Sequence, residues 1–319
     1  MRKDKILVIG ANGQIGSVLT QALRRSFGED NVVASDIRDS ENHPGLFETI
    51  NVLDAQRIAE VVDRYHITQV YHLAAILSAK GEANPLKTWD INMSGLFNVL
   101  EVAREKRMAK VFFPSSIAVF GNDVPRYGTP QNAHLSPSTV YGMSKVAGEL
   151  WSQYYFQRYG LDVRSVRYPG VVGYQSDPGG GTTDYAVEIY HYAVQEKPYQ
   201  CFLKNNTPLP MIYMDDAIRG TLELMDASSD KVSVRTSYNL AGMSFTPEEI
   251  TNSIRSFYPD FKVLYQPDFR QQIADSWPAS IEDSQARQDW NWQPKYDLDA
   301  MTADMILHLK EKYAVSSLT

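Results

Sequence analysis

Ile6-Leu7-Val8-Ile9-Gly10-Ala11-Asn12-Gly13-Gln14-Ile15-Gly16 carries an unbroken apolar run straight into a glycine triplet. A run of this kind suits a strand whose two faces are both covered, as in a parallel sheet packed between helices. It reads as a strand over 5–9. Ile15, Val18, Leu19, Ala22 and Leu23 then recur at helical spacing, predicting a helix over 14–25. Glycines between the two permit a tight turn, let a pyrophosphate approach the backbone, and bring helix and strand close. The helix start adds free N–H groups and a favourable dipole for an anion. The spacing G-x-x-G-x-x-G is one residue longer than the common dinucleotide fingerprint, and its position between strand and helix gives it meaning. Gly10, Asn12, Gly13, Gln14, Ile15 and Gly16 are therefore candidate cofactor residues.

The alternation continues outward. Strands are expected over 31–35, 69–75, 110–114 and 162–168, and helices over 54–65, 86–106 and 141–159, with Asp54 a cap and Asn84-Pro85 a break. This order predicts an α/β fold with a doubly wound parallel sheet. After Gly173 the texture changes. Asp177-Pro178-Gly179-Gly180-Gly181 is a loop, Thr246-Pro247-Glu248-Glu249 has the form of a capping box opening a helix to 258, and 299–313 reads as a terminal amphipathic helix. The expected division is a nucleotide-binding domain over 1–173 and a smaller C-terminal substrate lobe over 174–319, with some segments returning to the main sheet.

Composition narrows the function. The net charge is −7 over 319 residues without a basic cluster, so a nucleic-acid partner is not expected. The lone Cys201 forms neither an intrachain disulfide nor a thiolate cage; it reads as buried filler in a reducing, cytoplasmic setting. Basic residues precede the first apolar run, but that run is too short for a signal segment, and no stretch approaches the roughly 20 apolar residues of a membrane span. The six histidines are scattered without metal spacing, so no metal is expected, and His72 reads as a satisfied core histidine.

Asp36 closes the second strand about 20 residues after the loop, where an acid can bond the adenosine ribose and repel a 2′-phosphate. NAD is favoured over NADP, with Ile37 and Arg38 beside the acid. Tyr141 and Lys145 stand four apart on a predicted helix and share a face. A free tyrosine, with a pKa of about 10, is a poor base near neutrality. A lysine ammonium and a positive nicotinamide ring would favour the phenolate, which can take an alcohol proton as hydride leaves the same carbon. Ser115-Ser116, just past a strand, offers a hydroxyl to hold the substrate oxygen.

The glycine loop, Asp36, His72-Leu73-Ala74-Ala75, Ser116 ahead of Val119-Phe120-Gly121, and Tyr141 with Lys145 together resemble the extended short-chain dehydrogenase/reductase family. The resemblance implies a Rossmann-type sheet and Ser116, rather than Ser115, as the catalytic hydroxyl. It implies Asn51 and Val52 at the adenine, Leu73, Ala74 and Ala75 along the cofactor, and Asn92 supporting the active-site strand. Tyr168 and Pro169, in Arg167-Tyr168-Pro169-Gly170, would lie along the nicotinamide, and the segment 211–216 matches a later strand-to-helix element. It also implies a homodimer through the two long helices; sequence alone does not assign the face.

The second lobe should choose the substrate. Gly179-Gly180-Gly181-Thr182-Thr183-Asp184-Tyr185 is rich in N–H and hydroxyl donors suited to a small carboxylate. Asp275-Ser276-Trp277-Pro278 adds an indole to cover a small pocket. With Asp289-Trp290-Asn291-Trp292 these elements resemble the short-chain type of L-threonine 3-dehydrogenases. That resemblance implies NAD-dependent oxidation of L-threonine at its Cβ hydroxyl, with Ser78, Ser116, Tyr141, Gly180, Thr182, Thr183 and Trp277 holding the amino acid. The alternatives are a nucleotide-sugar epimerase or dehydratase using the same Tyr and Lys, and a non-catalytic NAD-sensing protein.

Overall fold

The fold was described from a computed structural model covering residues 4–39, 44–175, 177 and 179–316, so Met1 to Lys3 and Pro178 of the loop lie outside the described residues. Seven strands form the central sheet: β1 (Ile6–Ile9), β2 (Val32–Asp36), β3 (Phe47–Thr49), β4 (Gln69–His72), β5 (Lys110–Ser116), β6 (Val163–Tyr168) and β10 (Tyr238–Asn239). Their spatial order is β10-β6-β5-β4-β1-β2-β3 and every pairing is parallel. The chain builds outward one way from β1 and the other way from β4. The crevice past the carboxyl ends of β1 and β4 is thus the switch point at which such sheets bind ligands.

Alternation along β1 explains the three layers. Ile6 and Val8 join Leu19 and Leu23 of α1 (Gln14–Phe27) on one face, with α7 (Met214–Asp226) beside it. Leu7 and Ile9 join α2 (Ala55–Tyr65), α4 (Pro85–Glu105) and α5 (Val140–Tyr159) on the other. All four β1 side chains are fully or almost fully buried, each contributing roughly 1.5–3 kcal/mol of transfer free energy. Three of these helices start on side-chain caps. Asp54 accepts from the Arg57 N–H at 2.9 Å, Asn84 from Lys87 N–H at 3.3 Å with Pro85 next, and Thr139 from Gly142 N–H at 3.1 Å.

Two sequence expectations need adjusting. The strand expected over 69–75 ends at His72, because Leu73 and Ala74 N–H both turn onto the Ile9 carbonyl, at 2.8 and 3.1 Å. The short edge strand β3 had no sequence signal of its own.

Most of the remaining elements pack on a second core. The strands β7 (Gly170–Val172), β9 (Leu209–Tyr213) and β11 (Met243–Phe245) form one small sheet; β8 (Tyr199–Cys201) and β12 (Val263–Tyr265) form another. Around them lie α6 (Tyr185–Val194), α8 (Pro247–Arg255), α9 (Arg270–Asp275) and α11 (Leu298–Ser316), while α3 (Ser78–Gly81) packs on α5, and α10 (Ser284–Trp290) joins the core of α1 and α7 through Ala286 and Trp290. Thr246 and Glu249 make the reciprocal capping box of α8. Cys201 is buried in this core and its thiol is pushed up to about 11 by burial, as suits filler. No helix among the described residues is long and apolar enough to cross a membrane.

Candidate active site

The phosphate loop is shaped by close backbone packing. Gly10 N–H and Ala11 N–H both donate to the Ser35 carbonyl at 2.9 Å, pinning the turn to β2. Gly10 adopts φ +93°, and a Cβ there would lie 2.7 Å from the Ala74 nitrogen; a Cβ on Gly16 would lie 2.1 Å from the Gly10 carbonyl oxygen. Only glycine fits either place. Gly13 caps α1 without a side chain, which leaves the first amides of the helix, at Gln14, Ile15 and Gly16, facing the crevice. This cradle fits a dinucleotide pyrophosphate.

On the adenosine side Asp36 accepts from Asn12 N–H at 3.1 Å and from Arg38 N–H at 3.4 Å, while Asn12 Nδ2 donates to the Arg38 carbonyl at 3.1 Å. The acid keeps spare acceptor sites for ribose hydroxyls. Ile37 is exposed beside it. The Asn51 side chain accepts from Leu53 N–H, and Val52 is buried beneath Gly95 of α4. Leu73 and Ala75 line the cleft, while Ala74 backs Gly10. Asn92 reaches the cleft only indirectly: it brackets Ile76, accepting from its N–H at 2.8 Å and donating to its carbonyl at 3.1 Å, and donates to Ser144 Oγ at 3.2 Å.

Pro114, Ser115, Ser116, Tyr141, Lys145, Tyr168 and Pro169 converge at the other end of the same cleft. Ser116 Oγ accepts from Ala118 N–H at 3.2 Å and interacts with the Tyr141 phenol. Lys145 is buried, donates to the Pro114 carbonyl at 2.7 Å, and lies 4.6 Å from the Phe113 ring centre and 5.4 Å from that of Tyr141. Burial draws the Lys145 pKa down to about 7, against the pull of the Glu149 carboxylate. Among the protein's own groups burial also governs Tyr141, pushing it up to about 12 despite the opposing Ser116 hydrogen bond. The lowering expected for this phenol from a lysine ammonium and a nicotinamide ring together is not produced by the protein's own groups, among which burial is the largest influence. His72 is buried as expected but not satisfied: its Nδ1 has no partner, and burial plus the Lys145 charge hold it neutral, with a pKa of about 3.

The second lobe closes the cleft with Gly181, Thr182, Thr183, Asp184 and Trp277, facing Ser78. Thr182 is buried and its hydroxyl lies 3.4 Å from that of Ser78. Trp277 is buried with an unpartnered Nε1–H. The glycine loop does not present its amides freely, as its composition suggested. Gly180 and Gly181 N–H donate to Asp184 Oδ2 at 2.6 and 2.8 Å, and Gly180 stands behind the lining. Asp184, overlooked as a functional residue, thus both shapes the loop and adds a carboxylate to the wall; burial raises its pKa. A second overlooked set lies behind Lys145, where Ser115, Glu149 and Arg167 form a buried network. Its sequence signal is the Lys145-to-Glu149 spacing of four on a face that the fold buries. Asp216, in the later strand-to-helix segment, is buried and accepts from Lys295 and Tyr296 N–H, which joins α7 to the chain ahead of α11.

This geometry has counterparts among known proteins. An uncharacterized epimerase/dehydratase of Staphylococcus aureus (strain MRSA252) is 48% identical over 318 residues, 98% of this chain and 99% of its own. The holo form of a GalE-like L-threonine dehydrogenase from Cupriavidus necator is 54% identical with a TM-score of 0.95, covering 96% of this chain and 100% of that one. A monomeric L-threonine 3-dehydrogenase from a metagenome is 50% identical with a TM-score of 0.94, covering 96% and 99%. The profile of the NAD dependent epimerase/dehydratase family matches residues 6–241, from the first strand through the cleft to the last strand of the main sheet, and the chain belongs to that family.

Proposed function

We propose that this chain oxidises L-threonine at its Cβ hydroxyl to 2-amino-3-ketobutyrate, using NAD⁺. The observation that carries the reading is the small polar wall of Thr182, Thr183, Asp184 and Trp277 facing Ser116 and Tyr141 across one cleft. The threonine dehydrogenases similar over nearly the whole chain support it.

When bound, NAD⁺ supplies the hydride acceptor and a positive ring charge beside the phenol. Ser116 holds the substrate hydroxyl and Tyr141 takes its proton while the Cβ–H bond gives up its electron pair. Burial alone keeps Tyr141 protonated, so Lys145 acts by supporting positive charge near the phenol and by bonding the cofactor ribose. Asp184 offers its carboxylate to the amino acid's ammonium. The hydroxyls of Ser78, Thr182 and Thr183 and the free Trp277 N–H suit its carboxylate.

In this reading residues 1–173 hold the cofactor and 174–319 choose the substrate, in a cytoplasmic setting that the lone reduced Cys201 suits. The outward faces of α4 and α5, with Trp89, Leu150, Trp151 and Tyr154 exposed, are the surface through which two copies would pair as a homodimer. Light scattering at micromolar protein tests that pairing. The reaction is tested by mixing purified protein with NAD⁺ and L-threonine and following NADH. No NADH at millimolar threonine overturns the reading, and thermal stabilisation by a nucleoside-diphosphate sugar instead would favour an epimerase.

A further inference from the structure

The face of α5 that meets the sheet is polar, and an acid lies deepest in it. Glu149 sits one turn after Lys145 and has no exposed surface. Its Oε1 accepts from Ser115 Oγ at 2.5 Å and Arg167 Nε at 2.9 Å; its Oε2 accepts from Arg167 Nη2 at 2.8 Å. A carboxylate removed from water is tolerated only when matched in charge and fully hydrogen-bonded. Arg167 does this while also donating to the Gln131 carbonyl at 2.8 Å and to Asn239 Oδ1 at 3.1 Å. The partners are placed with purpose: Ser115 precedes Ser116 at the end of β5, and Arg167 precedes Tyr168 and Pro169 at the end of β6.

We propose that Glu149 is a positioning residue, a single buried carboxylate that sets the ends of β5 and β6 against α5 and places negative charge one turn from Lys145 on the same buried face. The proposal rests on the preceding reading only in taking Lys145 as a working cation. The charged and titratable groups on the elements around Lys145 are His72 on β4, Tyr141 and Glu149 on α5, and Arg167 and Tyr168 on β6; α4 brings the neutral Asn92. His72 is held neutral, burial keeps Tyr141 and Tyr168 protonated, and Arg167 is committed to Glu149. Glu149 is the group that favours the ammonium against burial.

The test titrates Lys145 itself, by NMR of full-length protein labelled with ¹³C at the lysine ε carbon, the resonance being identified by its loss in Lys145→Met. In the wild-type protein the midpoint is expected near 7. In Glu149→Gln it should fall by roughly one pH unit or more, and in Glu149→Asp by less, since the charge is kept. If Glu149→Gln does not fold, Glu149→Gln/Arg167→Gln removes both charges together and should show a fall of the same sign but smaller, since a cation that opposes the ammonium goes with the acid. An unchanged midpoint in folded Glu149 variants overturns the proposal. Threonine turnover, measured in parallel, separates the two ideas: its absence in the wild-type protein sinks the proposed reaction and leaves the titration to judge Glu149.

Discussion

Replacing Lys145 by methionine should alter stability in a direction that depends on pH. Burial draws the Lys145 pKa from 10.5 to about 7, which amounts to about 4–5 kcal/mol of penalty on the charged form. Below pH 7 native and unfolded chains both hold the proton, so the penalty is full and constant. Between about 7 and 10.5 the unfolded chain binds a proton the native one lacks, so wild-type stability climbs with pH; above 10.5 the penalty is gone. Methionine keeps most of the volume but leaves the Pro114 carbonyl without its donor, at a cost of roughly 1–3 kcal/mol. Lys145→Met should therefore be more stable than wild type by about 1–4 kcal/mol at pH 6 and less stable by about 1–3 kcal/mol near pH 10.5. Denaturant midpoints at the two pH values read this directly. A variant less stable at both, with no change in the difference, would refute the account of Lys145 as a costly buried cation.

Three further outcomes follow from the cleft. Tyr141→Phe should lower turnover by about 10²–10⁴-fold with NAD⁺ affinity retained, which calorimetry and steady-state kinetics separate. Gly16→Ala puts a Cβ 2.1 Å from the Gly10 carbonyl oxygen, so NAD⁺ binding should be lost in titration calorimetry, while Gly128→Ala, strained at φ +59° but outside the cleft lining, keeps it. Asp184→Asn should raise KM for threonine at least tenfold, as expected from losing a charge-assisted bond worth about 1.5–3 kcal/mol, and leave NAD⁺ affinity unchanged.

The sheet was legible because its evidence is local. An all-apolar run, helical spacing and a cap each act over a few residues, and Asp54, Asn84 and Thr246 all start helices as their sequence context suggests. The end of β4 was not legible, since it depends on Leu73 and Ala74 both turning to a carbonyl on β1. Tyr141 and Lys145 stood out by their spacing and Ser116 by the family resemblance, but the electrostatics of the three were not readable. Tyr141 and Lys145 respond first to burial, which only the folded chain sets. The buried side of α5 carries Ser144, Lys145, Glu149 and Ser152, whereas Leu150, Trp151 and Tyr154 face outward. A helix turned this way defeats the rule that places apolar residues inside, so Glu149 reads as surface in sequence and is interior in fact.

The two-residue strand Tyr238–Asn239 limits how this chain can be recombined. It borders β6 after more than 60 residues spent elsewhere, and Asn239 also bonds Arg167, the Thr129 and Glu282 carbonyls and the Gln131 side chain. A chain cut after residue 173 would lose this border, bare one side of β6, and strip a partner from the arginine that matches Glu149. Grafting a foreign substrate lobe therefore means carrying a Tyr-Asn equivalent back to the same edge, or the damage will appear at Lys145, in the half that was left untouched.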